Sequence, residues 1–158
     1  MYIKKFIGLF IIISATAIAS FAQAGSRSAW HSPEGSWEGV VTNLEGGPAP
    51  FRVLMTFTAG GGFIGTGDGD NAVGSPQHGV WERIGGASSR TYAVTFRQLF
   101  YMSDASPTGT ARIRQTVLLN KAGDSWSGPF TIEILDADGI VVFIGSGTST
   151  ATRIVPEP

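Results

Sequence analysis

Two glutamines lie inside otherwise apolar stretches and are the residues best suited to recognise a small ligand. Gln98 occurs in 90–102 (RTYAVTFRQLFYM) and Gln115 in 109–119 (GTARIRQTVLL). Because successive side chains of an extended chain point to opposite sides, each amide shares a face with bulky apolar residues. A buried amide without a hydrogen bond costs about 1–3 kcal/mol. We therefore expect these amides to orient the oxygen atoms of a ligand, to bond each other, or to lie at a wet rim.

The same alternation supplies the apolar part of the expected pocket. Bulky side chains recur at every second position of several segments and would gather on one side of a sheet. An apolar lining with a few polar groups is typical of small-molecule sites. The expected ligand-binding residues are Met55, Trp81, Tyr92, Phe96, Gln98, Phe100, Gln115 and Phe130.

Acid–base catalysis has little support in this pattern. His31 precedes the extended segments, and His78 alternates away from the face of Trp81. A cyclase that encloses a reactive polyene needs only shape and a few dipoles, with Tyr92 as its hydrogen-bond donor. We therefore assign no catalytic residue, no metal site and no cofactor. The charged strand residues are expected on the outer faces: Glu82, Arg97, Arg112, Arg114 and Glu133.

A glycine-rich segment, 59–74 (AGGGFIGTGDGDNAVG), resembles two known site patterns without meeting either. Its G-x-G-x-x-G match leads into a strand, whereas a dinucleotide site needs a helix there. Asp68, Asp70 and Asn71 lack the distant Glu of a calcium loop. We interpret the segment as a hairpin tip that could cover the mouth of a barrel as a lid.

The first 24 residues have the pattern of a secretory signal peptide. Lys4 and Lys5 precede an uncharged apolar run that ends in an A-x-A site at 22–24. We expect cleavage there, export to the periplasm or the extracellular space, and no membrane attachment afterwards. We also expect an irregular segment over 25–35 and a disordered tail over 155–158 (VPEP).

The composition excludes several classes of function. After the leader, nine basic residues face twelve acidic ones, which gives no basic patch for nucleic acid. The chain has no Cys, so its stability cannot come from disulfides and must come from an apolar core. We expect one soluble domain, as a monomer or a homodimer.

Short β-rich runs, separated by Gly, Asp, Asn, Ser and Pro, fill the rest of the chain. Because the connections are short, strands that are adjacent in the sequence are expected to be adjacent in the sheet. Closure removes the exposed edges of such a meander, whereas a two-sheet sandwich usually needs longer crossings. The prediction is an all-β, eight-stranded antiparallel up-and-down barrel over 36–154. Its strands are expected at 36–43, 51–58, 62–67, 77–84, 90–102, 109–119, 125–135 and 140–153.

Gly35-x-Trp37 at the first strand and Arg153 at the end of the last resemble the calycin-type barrels. In lipocalins an Arg late in the final strand packs over the Trp of the first, so the resemblance implies a structural clasp between Trp37 and Arg153. The compact meander, with "GVWERIGG" and "YAVTF", also resembles the allene oxide cyclase type. The lipocalin Thr-Asp-Tyr motif, the disulfide and a helix after Arg153 are absent from the sequence.

These observations leave three functions open. The first is a secreted lipocalin-like protein that binds a small hydrophobic or amphipathic molecule in its lumen. The second is a cofactor-free cyclase or isomerase of the allene oxide cyclase barrel type. The third is a packed barrel that acts as an interaction module. The volume of the lumen distinguishes the third from the first two.

Overall fold

The structure, a computed structural model, describes residues 31–43, 49–68, 73–102, 104 and 106–157. Within these residues the chain forms nine strands, and no helix in this part is long and apolar enough to cross a membrane. The strands are Gly35–Asn43 (β1), Phe51–Phe57 (β2), Gly62–Gly67 (β3), Val73–Gly74 (β4), Gln77–Ile84 (β5), Thr91–Tyr101 (β6), Pro107–Leu119 (β7), Ser125–Leu135 (β8) and Val141–Arg153 (β9).

The described strands form a closed eight-stranded barrel in meander order, as predicted. β4 and β5 both pair with β6, at successive positions along it, so they occupy one place in the wall. Every pairing is antiparallel, and β1 pairs with β9 to close the sheet. The two-sheet alternative is therefore wrong. The predicted leader over 1–24 and residues 69–72 of the glycine-rich segment 59–74 lie outside the described residues.

Among the strands that the structure describes, the short β4 is the only one that the prediction missed. Pro76 has no N–H to donate, so the ladder breaks after Gly74. Ser75 bridges the break: its N–H donates to the Leu99 carbonyl at 2.9 Å, and its hydroxyl accepts from the Leu99 N–H at 3.0 Å. A side chain thus replaces a missing backbone partner, which sequence alternation cannot reveal.

The alternation of apolar and charged side chains along β7 explains why the inner face of the barrel wall is apolar. Ile113, Gln115 and Val117 point inward and are buried. The intervening Arg112 and Arg114 point outward, and both pair with Glu133 of β8, at 3.2 and 2.9 Å. The hydrogen bond from Arg114 is the main reason that the pKa of Glu133 lies below its usual value. The charged residues therefore hold the outer surface and leave the inside apolar.

One end of the barrel is filled by aromatic rings. Edge-to-face pairs run from Phe57 to Trp81 and from Trp81 to Tyr92, with centroids 6.3 and 5.7 Å apart. Trp37 and Trp126 form another such pair at 6.4 Å. Trp37 and Tyr92 have no exposed surface. These rings close the barrel at what we call the sealed end.

Residues 31–34 cross the sealed end and are held there by their backbone carbonyls. Tyr92 donates its hydroxyl to the His31 carbonyl at 2.5 Å, and Arg83 donates to the same oxygen at 3.0 Å. The indole N–H of Trp37 donates to the Pro33 carbonyl at 2.7 Å. The bond from Trp37 satisfies an indole N–H that would otherwise be buried without a partner, and the other two fasten His31 to the barrel.

The structure brings Arg153 and Trp37 together at the same end. They are register partners on β9 and β1, and the guanidinium carbon lies 4.2 Å from the indole centroid. Such a contact is worth about 0.5–2 kcal/mol. The guanidinium also donates to the carbonyls of Ser32 (2.9 Å), Glu34 and Gly123 (2.9 Å). Arg153 therefore ties the first strand, the last strand, segment 31–34 and the β7–β8 turn together.

Gly35 is required by this arrangement, which gives the Gly-x-Trp triplet a physical reason. Its φ is +117°, a backbone conformation that residues with a side chain rarely adopt. A Cβ at Gly35 would lie 2.7 Å from Nη1 of Arg153. The glycine thus makes room for the guanidinium above Trp37. Burial lowers the pKa of Arg153 from its ordinary value, but that value is so high that the group stays charged.

Replacement of Arg153 by lysine should destabilise the barrel. Lysine keeps the charge but cannot donate to three carbonyls while lying flat on the indole. We expect Arg153→Lys to lower the free energy of unfolding by about 2–4 kcal/mol, measured by urea denaturation. The control Arg114→Lys changes a half-exposed arginine and should cost less than about 0.5 kcal/mol. Equal losses in the two variants would contradict this role of Arg153.

Candidate functional site

The inward faces of the strands enclose a cavity of about 340 Å³ between the sealed end and the opposite mouth. This volume is at the lower end of the range for small-molecule sites, about 300–1,000 Å³. Toward the sealed end the lining residues are buried, and toward the mouth they become half-buried or exposed. The lining includes Val41, Phe51, Val53, Met55, Phe96, Phe100, Ile113, Phe130, Ile132, Ile134 and Phe143.

The structure places six of the eight expected ligand-binding residues around this cavity. They are Met55, Phe96, Gln98, Phe100, Gln115 and Phe130. The other two, Trp81 and Tyr92, share the inward face but lie at the sealed end. Burial raises the pKa of Tyr92, and its hydroxyl is already bonded to the His31 carbonyl. Tyr92 therefore does not offer its proton to the lumen.

The two glutamines do not bond each other. Gln98, half-buried near the mouth, donates its amide to the Ser75 carbonyl at 3.1 Å. Gln115 is deeper, 8% exposed, and donates to the hydroxyl of Ser149 at 2.5 Å. Ser149 is 4% exposed. One glutamine thus braces the break between β4 and β5, and the other belongs to a buried polar pair.

Ser149 is a polar residue of the cavity wall that the sequence did not single out. Its strand, β9, reads VVFIGSGTSTATR, and the inward positions Gly145, Gly147, Ser149 and Ala151 are all small. Period-two alternation is present, but after Phe143 no bulky residue marks the inner face of the strand. The sequence signal for Ser149 is a small polar residue two positions after an inward glycine. This signal can be recognised only once the pairing register of β9 is known.

Glycines keep the lumen open beside its aromatic rings. A Cβ at Gly147 would lie 2.5 Å from the Phe130 ring and 2.4 Å from the Thr42 carbonyl. A Cβ at Gly67 would lie 3.3 Å from the Phe51 ring. Each ring lies over a neighbouring glycine instead of filling the axis of the barrel. The many glycines of the inner face therefore create space for the cavity.

The described residues offer no charge for acid–base work inside the cavity. His31 and His78 are exposed, and the lining residues are uncharged. Among the described residues no group of three His, Asp or Glu side chains could hold a metal ion. The ion pair between Arg52 and Asp68, 2.8 Å long, is exposed on the outer face of β2. The cavity can thus recognise a ligand by shape and by uncharged hydrogen-bonding groups.

Comparison with protein-family models, curated proteins and solved structures found no match to this chain. The fold therefore rests on the geometry described above. The resemblance to lipocalins rests on Gly35, Trp37 and Arg153.

The buried pair makes a testable contribution to stability. Ser149→Ala leaves the Gln115 amide without its partner and should lower the free energy of unfolding by about 1–3 kcal/mol. Adding Gln115→Leu should recover most of that loss, because neither polar group then remains. Ser127→Ala, at an exposed position of β8, is the control. Ser149→Ala and Gln115→Leu are also measured singly. If their losses of unfolding free energy in urea add up to the loss in the double variant, the two side chains are not coupled.

Proposed function

We propose that this protein binds a small apolar or amphipathic molecule in the lumen of its barrel. The observation that carries the proposal is the cavity of about 340 Å³ with a mainly apolar, uncharged lining. A barrel of eight strands has room inside either for packed side chains or for one small ligand. Phe96 and Phe130 line the cavity without filling it, which favours binding over the packed interaction module.

Export and kinship with calycin-type barrels are part of the same proposal. The leader pattern over 1–24 supports a periplasmic or extracellular location. The contact of Arg153 with Trp37, and the glycine that makes room for it, support a lipocalin-like relationship. The cyclase alternative is less well supported. Its expected hydrogen-bond donor, the Tyr92 hydroxyl, is already bonded at the sealed end.

Naphthalene, an uncharged fluorescent molecule, tests whether the lumen binds. We expect saturable binding in a fluorescence titration, with a dissociation constant of about 10–100 µM for a molecule of this size. Ile134→Trp should narrow the mouth and weaken binding at least about tenfold, because Ile134 lines the cavity. The matched control is Ile64→Trp, on the exposed face of β3, which should bind as the wild type does.

Two results would contradict the proposal. One is the absence of saturable binding by the folded wild-type protein. The other is equal binding by Ile134→Trp and Ile64→Trp, since the probe would then occupy the outer surface.

A further inference from the structure

The buried pair of Gln115 and Ser149 points to the chemical class of the ligand. We propose that the lumen selects an uncharged molecule with a hydroxyl group, and that this pair holds the hydroxyl at the deep end of the cavity. The inference rests on the proposed function and adds the headgroup and its orientation.

The pair is built into the wall at the deep end. On β7, Gln115 lies one inward position from Val117, which pairs with Tyr92 of the sealed end. Ser149 pairs with Gly128 on β8, the strand between β7 and β9. The Gln115 amide reaches the serine across β8. Both side chains are more than nine-tenths buried, and both line the cavity.

The bond between the two side chains leaves hydrogen-bonding capacity unused. The Gln115 amide donates to Ser149, so the serine hydroxyl keeps a hydrogen to donate. The Gln115 carbonyl keeps lone pairs to accept. With the amide turned the other way, the pair would still retain both a donor and an acceptor. Within the described residues, neither side chain has another hydrogen-bond partner.

A hydroxyl group matches this pair better than other headgroups do. One hydroxyl oxygen can accept from Ser149 while its hydrogen is donated to Gln115. A ketone could only accept, and a hydrocarbon could do neither. Each would leave a buried polar atom without a partner, which weakens binding.

A carboxylate is disfavoured at the same position. The described residues that line the cavity include no cation to pair with it. Burial of an unpaired carboxylate is costly, and the group takes up a proton instead. Fatty acid anions should therefore bind weakly at neutral pH, and better as the pH falls toward the pKa of the free acid.

The size of the cavity limits the rest of the molecule. At about 30 Å³ for each water-sized group, 340 Å³ holds about eleven such groups. A hydroxylated bicyclic aromatic molecule or a medium-chain alcohol fits this volume. Naphthol, naphthalene and naphthoate are suitable probes, because they share one carbon skeleton and differ in the headgroup.

The experiment titrates these three probes by fluorescence into the wild type and into Ser149→Ala and Gln115→Leu. We expect the wild type at pH 7 to bind naphthol about tenfold more tightly than naphthalene or naphthoate. In both variants the preference of naphthol over naphthalene should fall to about twofold or less. Ser127→Ala, on the outer face, should retain the full preference.

The naphthalene titration also shows whether each variant keeps its lumen. If Gln115→Leu fails to fold, the headgroup inference is tested by the smaller change Ser149→Ala alone. A naphthol preference that persists in a variant that binds naphthalene would overturn the headgroup inference and leave the proposed function standing. Naphthoate bound as tightly as naphthol at pH 7 would do the same. No saturable binding of any probe by the folded wild type would overturn both.

Discussion

The contact of Arg153 with Trp37 is the constraint on which the rest of the structure depends. It joins the first strand to the last, so it fastens the closure that removes both sheet edges. The same guanidinium holds segment 31–34 across the sealed end. Because that end is filled with aromatic rings, the described residues leave the cavity accessible from the opposite mouth. A single cation, at the end away from the cavity, thus fastens both the closure of the barrel and the segment that covers its sealed end.

Inside the barrel, small residues matter as much as large ones. Gly147 lets the Phe130 ring lie against the wall, and Ser149 is small enough to accept the Gln115 amide. The lumen therefore has apolar walls, space on its axis and one buried polar pair. Its charged neighbours point outward and pair there, as Arg112 does with Glu133. This separation of charge supports our proposal that the ligand is uncharged.

The sequence predicted most of the fold, and six of the eight residues that it assigned to the ligand site line the cavity. Alternation located the long strands and the inward positions of Phe96, Gln98 and Phe130, since bulky residues mark those faces. The alternation could not distinguish residues that line the cavity from residues at the sealed end, because Tyr92 and Phe96 lie on the same face of β6. Nor could it find Ser149, whose reach to Gln115 depends on the register of three strands.

The most direct test of the account is an NMR measurement of where a bound molecule lies. Protein with labelled methyl groups and saturated with naphthol should show nuclear Overhauser effects from the ligand to Ile113, Ile132 and Met55, which line the cavity. The exposed methyl groups of Ile64 and Val80 should show none. Effects confined to those outer methyl groups would contradict the claim that the lumen is the binding site.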